Sequence, residues 1–205
     1  MNQTAPFLLG QIWQETVTLI GKSKRLSEFA QLPGVTLPYT PVAPSRLPVR
    51  QHLGGLPALS HKRTRALTQA IVDGKDHLSW QQSYSADQVG ADYLENYGWF
   101  NIVSPEGPYV SPDFRITIGL WNKGLSYPTH WHAPEEYYMV LAGGARFRAK
   151  GRAPRQVAAG GLVHHRANQP HGMEMVEFPL LALAVWRGDG LMAVSELESD
   201  AALFT

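Results

Sequence analysis

Residues 124–143 read GLSYPTHWHAPEEYYMVLAG, which brings His130, His132, Glu136, Tyr137 and Tyr138 close together in the chain. Pro128 and the Ala133-Pro134 pair punctuate the stretch. Residues 129–132 therefore read as a short strand, followed by a turn and a second strand over 136–141. Side chains two apart on a strand share a face. His130 and His132 then point one way, and Glu136 and Tyr138 also share a face, while Tyr137 points the opposite way. If the two strands meet face to face, two imidazoles, a carboxylate and a phenol converge.

Imidazole and carboxylate together suit one divalent first-row transition metal ion, with zinc, iron(II) and manganese as the choices. The set still lacks a ligand. His171 lies in NQPHGMEM, after the turn-like Asn168-Gln169-Pro170 and before an alternating segment, and it fits that place best. His164 and His165 compete for it. His-x-His arises often by chance, but a glutamate four residues on, with glycines at both flanks, tips the reading to metal binding.

Upstream, residues 114–121 (FRITIGLW) alternate strictly, with Phe114, Ile116, Ile118 and Leu120 on one face. Further strands are expected near 98–103, 145–150, 154–158, 161–165, 173–178 and 180–187. In 145–150, arginines and a lysine alternate with Ala145, Phe147 and Ala149, so one side faces solvent. Many short strands with Gly and Pro turns suggest a barrel or sandwich.

The N-terminal part differs. Leu8, Ile12, Trp13, Val17 and Ile20 form a helical stripe within 7–20, and a short helix follows over 26–32. Residues 33–57 hold six prolines, which forbids a continuous helix. They read as an extended wrap anchored by Val35, Leu37, Tyr39, Val42, Leu47 and Val49. Ser60 is placed to cap a helix through residue 73, and two short helices are expected over 77–84 and 87–95. The boundary falls near residue 96, between a mainly helical extension (1–95) and a barrel (96–205).

The 205 residues carry a formal net charge of +1 and no cysteine. Near-neutrality gives no electrostatic case for nucleic acid, and the absence of cysteine excludes disulfides, thiolate metal sites and a cysteine nucleophile. No apolar run is long enough for a membrane span and no signal-peptide pattern opens the chain, so a cytoplasmic location is expected.

Gly124, His130, His132, Glu136 and Gly143 match the first cupin motif, G-x5-H-x-H-x3-E-x6-G, in every spacing. Gly160 and His171 fit the second motif, G-x5-P-x-G-x2-H-x3-N, but Arg166 replaces its proline, Asn168 its middle glycine, and the final asparagine is missing. The resemblance implies a mainly β fold, a cupin β-barrel (double-stranded β-helix) with the metal inside its mouth. More narrowly, Tyr127, the His130/His132 pair, Glu136-Tyr137-Tyr138, His171 and Trp186 resemble the cupin dimethylsulfoniopropionate (DMSP) lyases of marine bacteria. The similarity is greatest to the Q type, which carries a helical N-terminal extension. It implies cleavage of DMSP to dimethyl sulfide and acrylate.

The metal is then held by His132, Glu136 and His171, with His130 a ligand or the nearest neighbour of the ligands. Parity alone leaves Tyr138 evenly divided between general base and buried aromatic, and the resemblance assigns it as the base. The sulfonium is a permanent cation that aromatic faces attract. Tyr127, Trp131, Tyr137 and Trp186 are the candidate substrate contacts, whereas Trp99 and Trp121 read as core. The competing readings are an iron(II) dioxygenase on the same ligands and a non-catalytic cupin that binds a small ligand. A homodimer is a further expectation, since cupins pair through barrel edges. The helical extension is expected to cover the barrel mouth.

Overall fold

The computed structural model describes residues 5–32 and 36–198. Its helices are α1 (Ala5–Gly21), α2 (Lys24–Ala30), α3 (Arg65–Gly74), α4 (Ala86–Val89) and α5 (Ala91–Glu95), with 3-10 turns at Pro48–Leu59 and Lys75–His77. Its strands are β1 (Tyr97–Ser104), β2 (Tyr109–Val110), β3 (Phe114–Trp121), β4 (Ser126–Trp131), β5 (Glu135–Ala149), β6 (Arg152–Ala158), β7 (Leu162–His165), β8 (His171–Glu174), β9 (Leu180–Arg187) and β10 (Glu196–Leu197). The protein is mainly β, as the cupin motif led one to expect, with its helices gathered at the N-terminal end, as the helical pattern upstream and the Q-type resemblance led one to expect.

One curled sheet runs β10-β4-β8-β5-β9-β3-β1-β2, with β6 and β7 also paired to β5. The strands expected at 136–141 and 145–150 are in fact the single strand β5. Its first half pairs with β7 and β9, and its second half with β6 and β8. The crossing point is Gly143-Gly144, next to a register shift between Val140 and Ala142. Glycine and a bulge let a strand turn a barrel corner. Gly143 has φ +69°, and a Cβ there would lie 1.7 Å from the Pro179 carbonyl oxygen, so no other residue fits. β4 does not pair with β5; β8 lies between them. The histidines of β4 and the glutamate of β5 meet because the sheet curls.

The curled sheet buries both faces. The outer face of β3, β5 and β9 (Ile116, Ile118, Leu141, Leu183 and neighbours) forms one core with Ile12, Leu26, Leu53 and Ile71 from the helical part. The inner face (Tyr138, Val140, Phe147, Met173, Ala182, Ala184) forms a second core inside the barrel. Phe114, Ile116, Ile118 and Leu120 thus face the helices rather than the barrel interior.

Several local expectations need correction. On α1 the buried stripe is Leu8, Leu9, Ile12, Thr16, Leu19 and Ile20, and Val17 is 37% exposed. Thr16 takes its place because its hydroxyl donates to the Ile12 carbonyl. The proline-dense segment is extended only to Leu47; from Pro48, whose ring presets a helical φ, it winds into 3-10 turns that bury Val49, Leu53 and Leu56. Pro33 and Val35 lie outside the described residues. Ser60 does not cap α3; its hydroxyl donates to the Pro57 carbonyl instead, and α3 starts after Thr64. Residues 78–84 are not helical. They run extended, and Gln81 exchanges backbone hydrogen bonds with Trp99. No described helix is long and apolar enough to cross a membrane.

Candidate active site

The first cupin motif does in space what its spacing suggests. His130 is the next-to-last residue of β4, His132 lies just past that strand, Glu136 is the second residue of β5, and all three are buried. His171 begins β8 directly across from His130. The Nδ1 atoms of His130, His132 and His171 each donate to a backbone carbonyl two residues away, on Pro128, Pro134 and Gln169, at 2.9, 2.9 and 2.7 Å. Those bonds fix the tautomer and leave Nε2 of each ring as a lone pair. One donor atom from each of His130, His132 and His171 lies within 4.8 Å of the others.

Glu136 Oε2 stands 3.3 Å from Nε2 of both His132 and His171. Its other oxygen accepts a 2.6 Å hydrogen bond from Trp186 Nε1. Burial opposes charge on this group, yet the two imidazoles outweigh it and hold the carboxyl well below the usual range. His132 is likewise opposed by burial but raised by Glu136. His130 has no such partner, and burial with His171 alongside pushes it well down.

His165, one of the competitors for the last place, is brought in as well. It lies opposite Glu136 in the β5–β7 pairing, stacks on His171 with ring centres 3.9 Å apart, and makes no hydrogen bond through either nitrogen. Glu136, His165 and His171 form a second group whose donor atoms lie within 4.8 Å. Burial, then His171, push His165 down to about 3. His164 points the other way, stacking on Tyr137 and bonding to Glu135.

A cavity of about 270 Å³ opens beside the cluster. Tyr127, Glu136, Tyr138 and Trp186 line it, as do Trp99, Arg115, Thr117 and Trp121. Burial, then Glu136, push the Tyr138 hydroxyl well above the ordinary tyrosine value. Tyr127 stacks on His130 at 4.0 Å and its hydroxyl meets that of Tyr84 at 2.7 Å. The indole of Trp186 stacks on His132 at 4.2 Å. Two candidate substrate contacts are not on this wall. Tyr137 packs outward against Phe29, as its parity dictates, and Trp131 has the parity opposite to His130 and is absent from the lining. Conversely Trp99 and Trp121, read as core, stand on the cavity wall. Trp121 turns inward because its ring folds over Gly119, where a Cβ would sit 2.2 Å from it.

Arg115 was missed altogether. Within FRITIGLW it shares parity with Thr117, Gly119 and Trp121, the face that turns inward, but the alternation alone does not mark that face as the interior. The non-barrel segments also contribute, through Gln81–Ser83 on one side and Met192–Ser195 on the other.

The donor set fits a divalent transition metal. Three imidazoles are held through Nδ1, which leaves Nε2 as the donor atom, one carboxylate sits 3.3 Å from two of them, and both His165 nitrogens are buried without a hydrogen-bond partner.

The dimethylsulfoniopropionate lyase family profile matches residues 23–182. The chain is 30% identical over 189 residues to dimethylsulfoniopropionate lyase DddQ of Ruegeria pomeroyi, covering 92% of this chain and 93% of that protein. A crystal structure of DddQ from Ruegeria pomeroyi DSS-3 superposes with a TM-score of 0.88 at 29% identity, over 95% of this chain and 97% of that one. A structure from the study of the DMSP lyases RdDddP and RnDddQII gives a TM-score of 0.91 at 30% identity, over 96% of this chain and all of the other. On the extent of these matches, the chain belongs to the dimethylsulfoniopropionate lyase family.

Proposed function

We propose that this protein is a metal-dependent carbon–sulfur lyase that cleaves DMSP to dimethyl sulfide and acrylate by β-elimination. The observation that carries the reading is the placement of Tyr138 two residues from Glu136 on β5, lining the same cavity as that carboxylate, which stands 3.3 Å from His132 and His171. His132, Glu136 and His171 would hold the metal, with His130 a fourth ligand or their neighbour. A bound divalent cation supplies Lewis acidity toward a carboxylate and favours the phenolate of a nearby tyrosine.

The chain's own groups supply the rest. Tyr138 takes the Cα proton, the Cα–H electron pair becomes the new C=C bond, and the Cβ–S pair leaves with dimethyl sulfide. Acrylate and a proton complete the balance. Without a cation close by, Tyr138 stays a neutral phenol at neutral pH, because burial and Glu136 both oppose its ionisation. Its basicity therefore depends on the ligand cluster beside it. The aromatic wall of Tyr127 and Trp121 gives the sulfonium an electron-rich face.

The test is headspace gas chromatography of metal-loaded protein with DMSP, alongside Tyr138→Phe. The parent releases dimethyl sulfide, and the variant loses roughly 100-fold or more of turnover while keeping its metal. Release by both proteins at the same rate removes Tyr138 as the base. Release by neither, with oxygen consumed on a carboxylate substrate, turns the reading to a dioxygenase.

A further inference from the structure

Arg115 is a buried cation without an anion. Its side chain sits on β3 at 6% exposure. Nε donates to Asn101 Oδ1 and Nη1 to the Leu191 carbonyl, both at 2.9 Å. These are neutral acceptors. Arg50, Arg146 and Arg148 pair with Asp76 or Glu174, but Arg115 has no carboxylate within ion-pair distance among the described residues. Its guanidinium carbon lies 4.7 Å from the Trp99 ring centre and 5.3 Å from that of Trp186, so the indoles hold the fork in place. Nη2 makes no hydrogen bond among the described residues, and the side chain borders the cavity.

Burying a charge without a counter-charge is costly. A planar guanidinium with its position fixed and one edge open is suited to a carboxylate. We propose that Arg115 receives the carboxylate end of the substrate and selects for anionic or zwitterionic ligands over cationic or neutral ones. The assignment of that substrate as DMSP rests on the lyase reading; the anion site itself does not.

The location also sets the direction of a zwitterion in the cavity. A sulfonium is repelled by Arg115, and the indole faces of Trp99 and Trp186 are already engaged by the guanidinium and, for Trp186, by His132. The tyrosines lie elsewhere on the wall, where Tyr127 packs against Trp121, Tyr97 and Tyr84 at 5.7 to 6.0 Å. One carboxylate oxygen turns to Arg115, leaving the other for the ligand cluster around Glu136, and the cationic end turns to the tyrosines. Trp186 then serves as a positioning residue between Arg115, Glu136 and His132, rather than as the sulfonium's seat.

Two measurements decide it. In a crystal structure of the metal-loaded parent with propionate, a carboxylate oxygen is expected within hydrogen-bond reach of Arg115 Nη2. A propionate whose carboxylate lies beyond reach of Arg115 overturns the proposal. In kinetics with DMSP, Arg115→Gln raises KM roughly 10- to 100-fold, the range of a hydrogen bond to a charged group, with a smaller change in kcat, and Arg115→Lys recovers part of the loss. A folded Arg115→Gln protein with the parent KM, or Gln and Lys variants impaired alike, overturns it, because a merely structural tie to Asn101 and Leu191 does not distinguish a cation from an amide. If the parent releases no dimethyl sulfide, the lyase reading fails, and the propionate complex still decides the role of Arg115.

Discussion

Trp186 Nε1 donates to Glu136 Oε1 at 2.6 Å, and the same indole stacks on His132. One side chain on β9 thus orients two candidate ligands from β5 and the turn before it. Partners of this kind hold a ligating carboxylate in register, and their loss typically costs ~10- to 100-fold in metal affinity. Trp186→Phe keeps the ring and removes the donor. Its metal affinity, measured by competition with a chelator, is expected to fall by about 10-fold or more. Parent-like affinity in the folded variant would mean that Glu136 needs no orientation from the indole.

His165 and His130 make the fold acid-sensitive. Burial lowers both, His165 to about 3, against about 6.5 in an unfolded chain. Because the folded value is the lower one, the unfolded state binds the extra proton. Stability is then full above about pH 6.5 and is lost as pH falls from there toward 3. The His165 share comes to about 2 kcal/mol by pH 5. Urea denaturation of chelator-treated protein at pH 7.5, 6 and 5 measures it. His165→Phe, which keeps a ring against His171, should flatten the slope; identical slopes in parent and variant would count against a neutral, buried His165.

What was legible in the sequence is what a single strand carries on its own. The i, i+2 parity of His130 and His132, and of Glu136 and Tyr138, survives any curvature of the sheet, so the cluster was readable. The parity of Trp186 on LLALAVW was readable for the same reason. The parity of Tyr137 and Trp131 already pointed both away from the cavity, and sequence proximity to the motif misled. Arg115, Trp99 and Trp121 were not recovered because helices cover the outer face of the sheet. With both faces buried, an apolar alternation does not say which side is the barrel interior. Residues 81–83 reach the cavity through an isolated pairing of Gln81 with Trp99, a long-range contact that no local pattern announces.

Asn168 stands where the second motif has glycine, and it has φ +56°. The departure is conformationally conservative, since asparagine is among the residues that tolerate this left-handed region. Its N–H donates to the His132 carbonyl at 2.9 Å, which ties the turn before His171 to the first motif. Asn168→Gly is expected to be neutral or slightly stabilising, and Asn168→Ala to cost about 1 kcal/mol. Equal denaturation midpoints for the alanine and glycine variants would remove backbone conformation as the reason for asparagine here.

The two glycines that bracket the first motif are required for different reasons, and substitution separates them. Both have positive φ, +91° at Gly124 and +69° at Gly143. A Cβ at Gly124 meets nothing within 4 Å, so alanine there bears only the backbone strain, about 1–2 kcal/mol. At Gly143 a Cβ would also overlap the Pro179 carbonyl oxygen, at 1.7 Å. That oxygen accepts from the Gly144 N–H, so it moves only by breaking the hydrogen bond at the corner where β5 passes from one half of the sheet to the other. Gly143→Ala is therefore expected to cost more than about 3 kcal/mol and to weaken metal retention, because Glu136 and Tyr138 lie on the same strand. Urea midpoints and metal content of the two variants test this. A Gly143→Ala protein no less stable than Gly124→Ala would mean that the corner yields to a methyl group, and that the close approach to Pro179 does not set the path of β5.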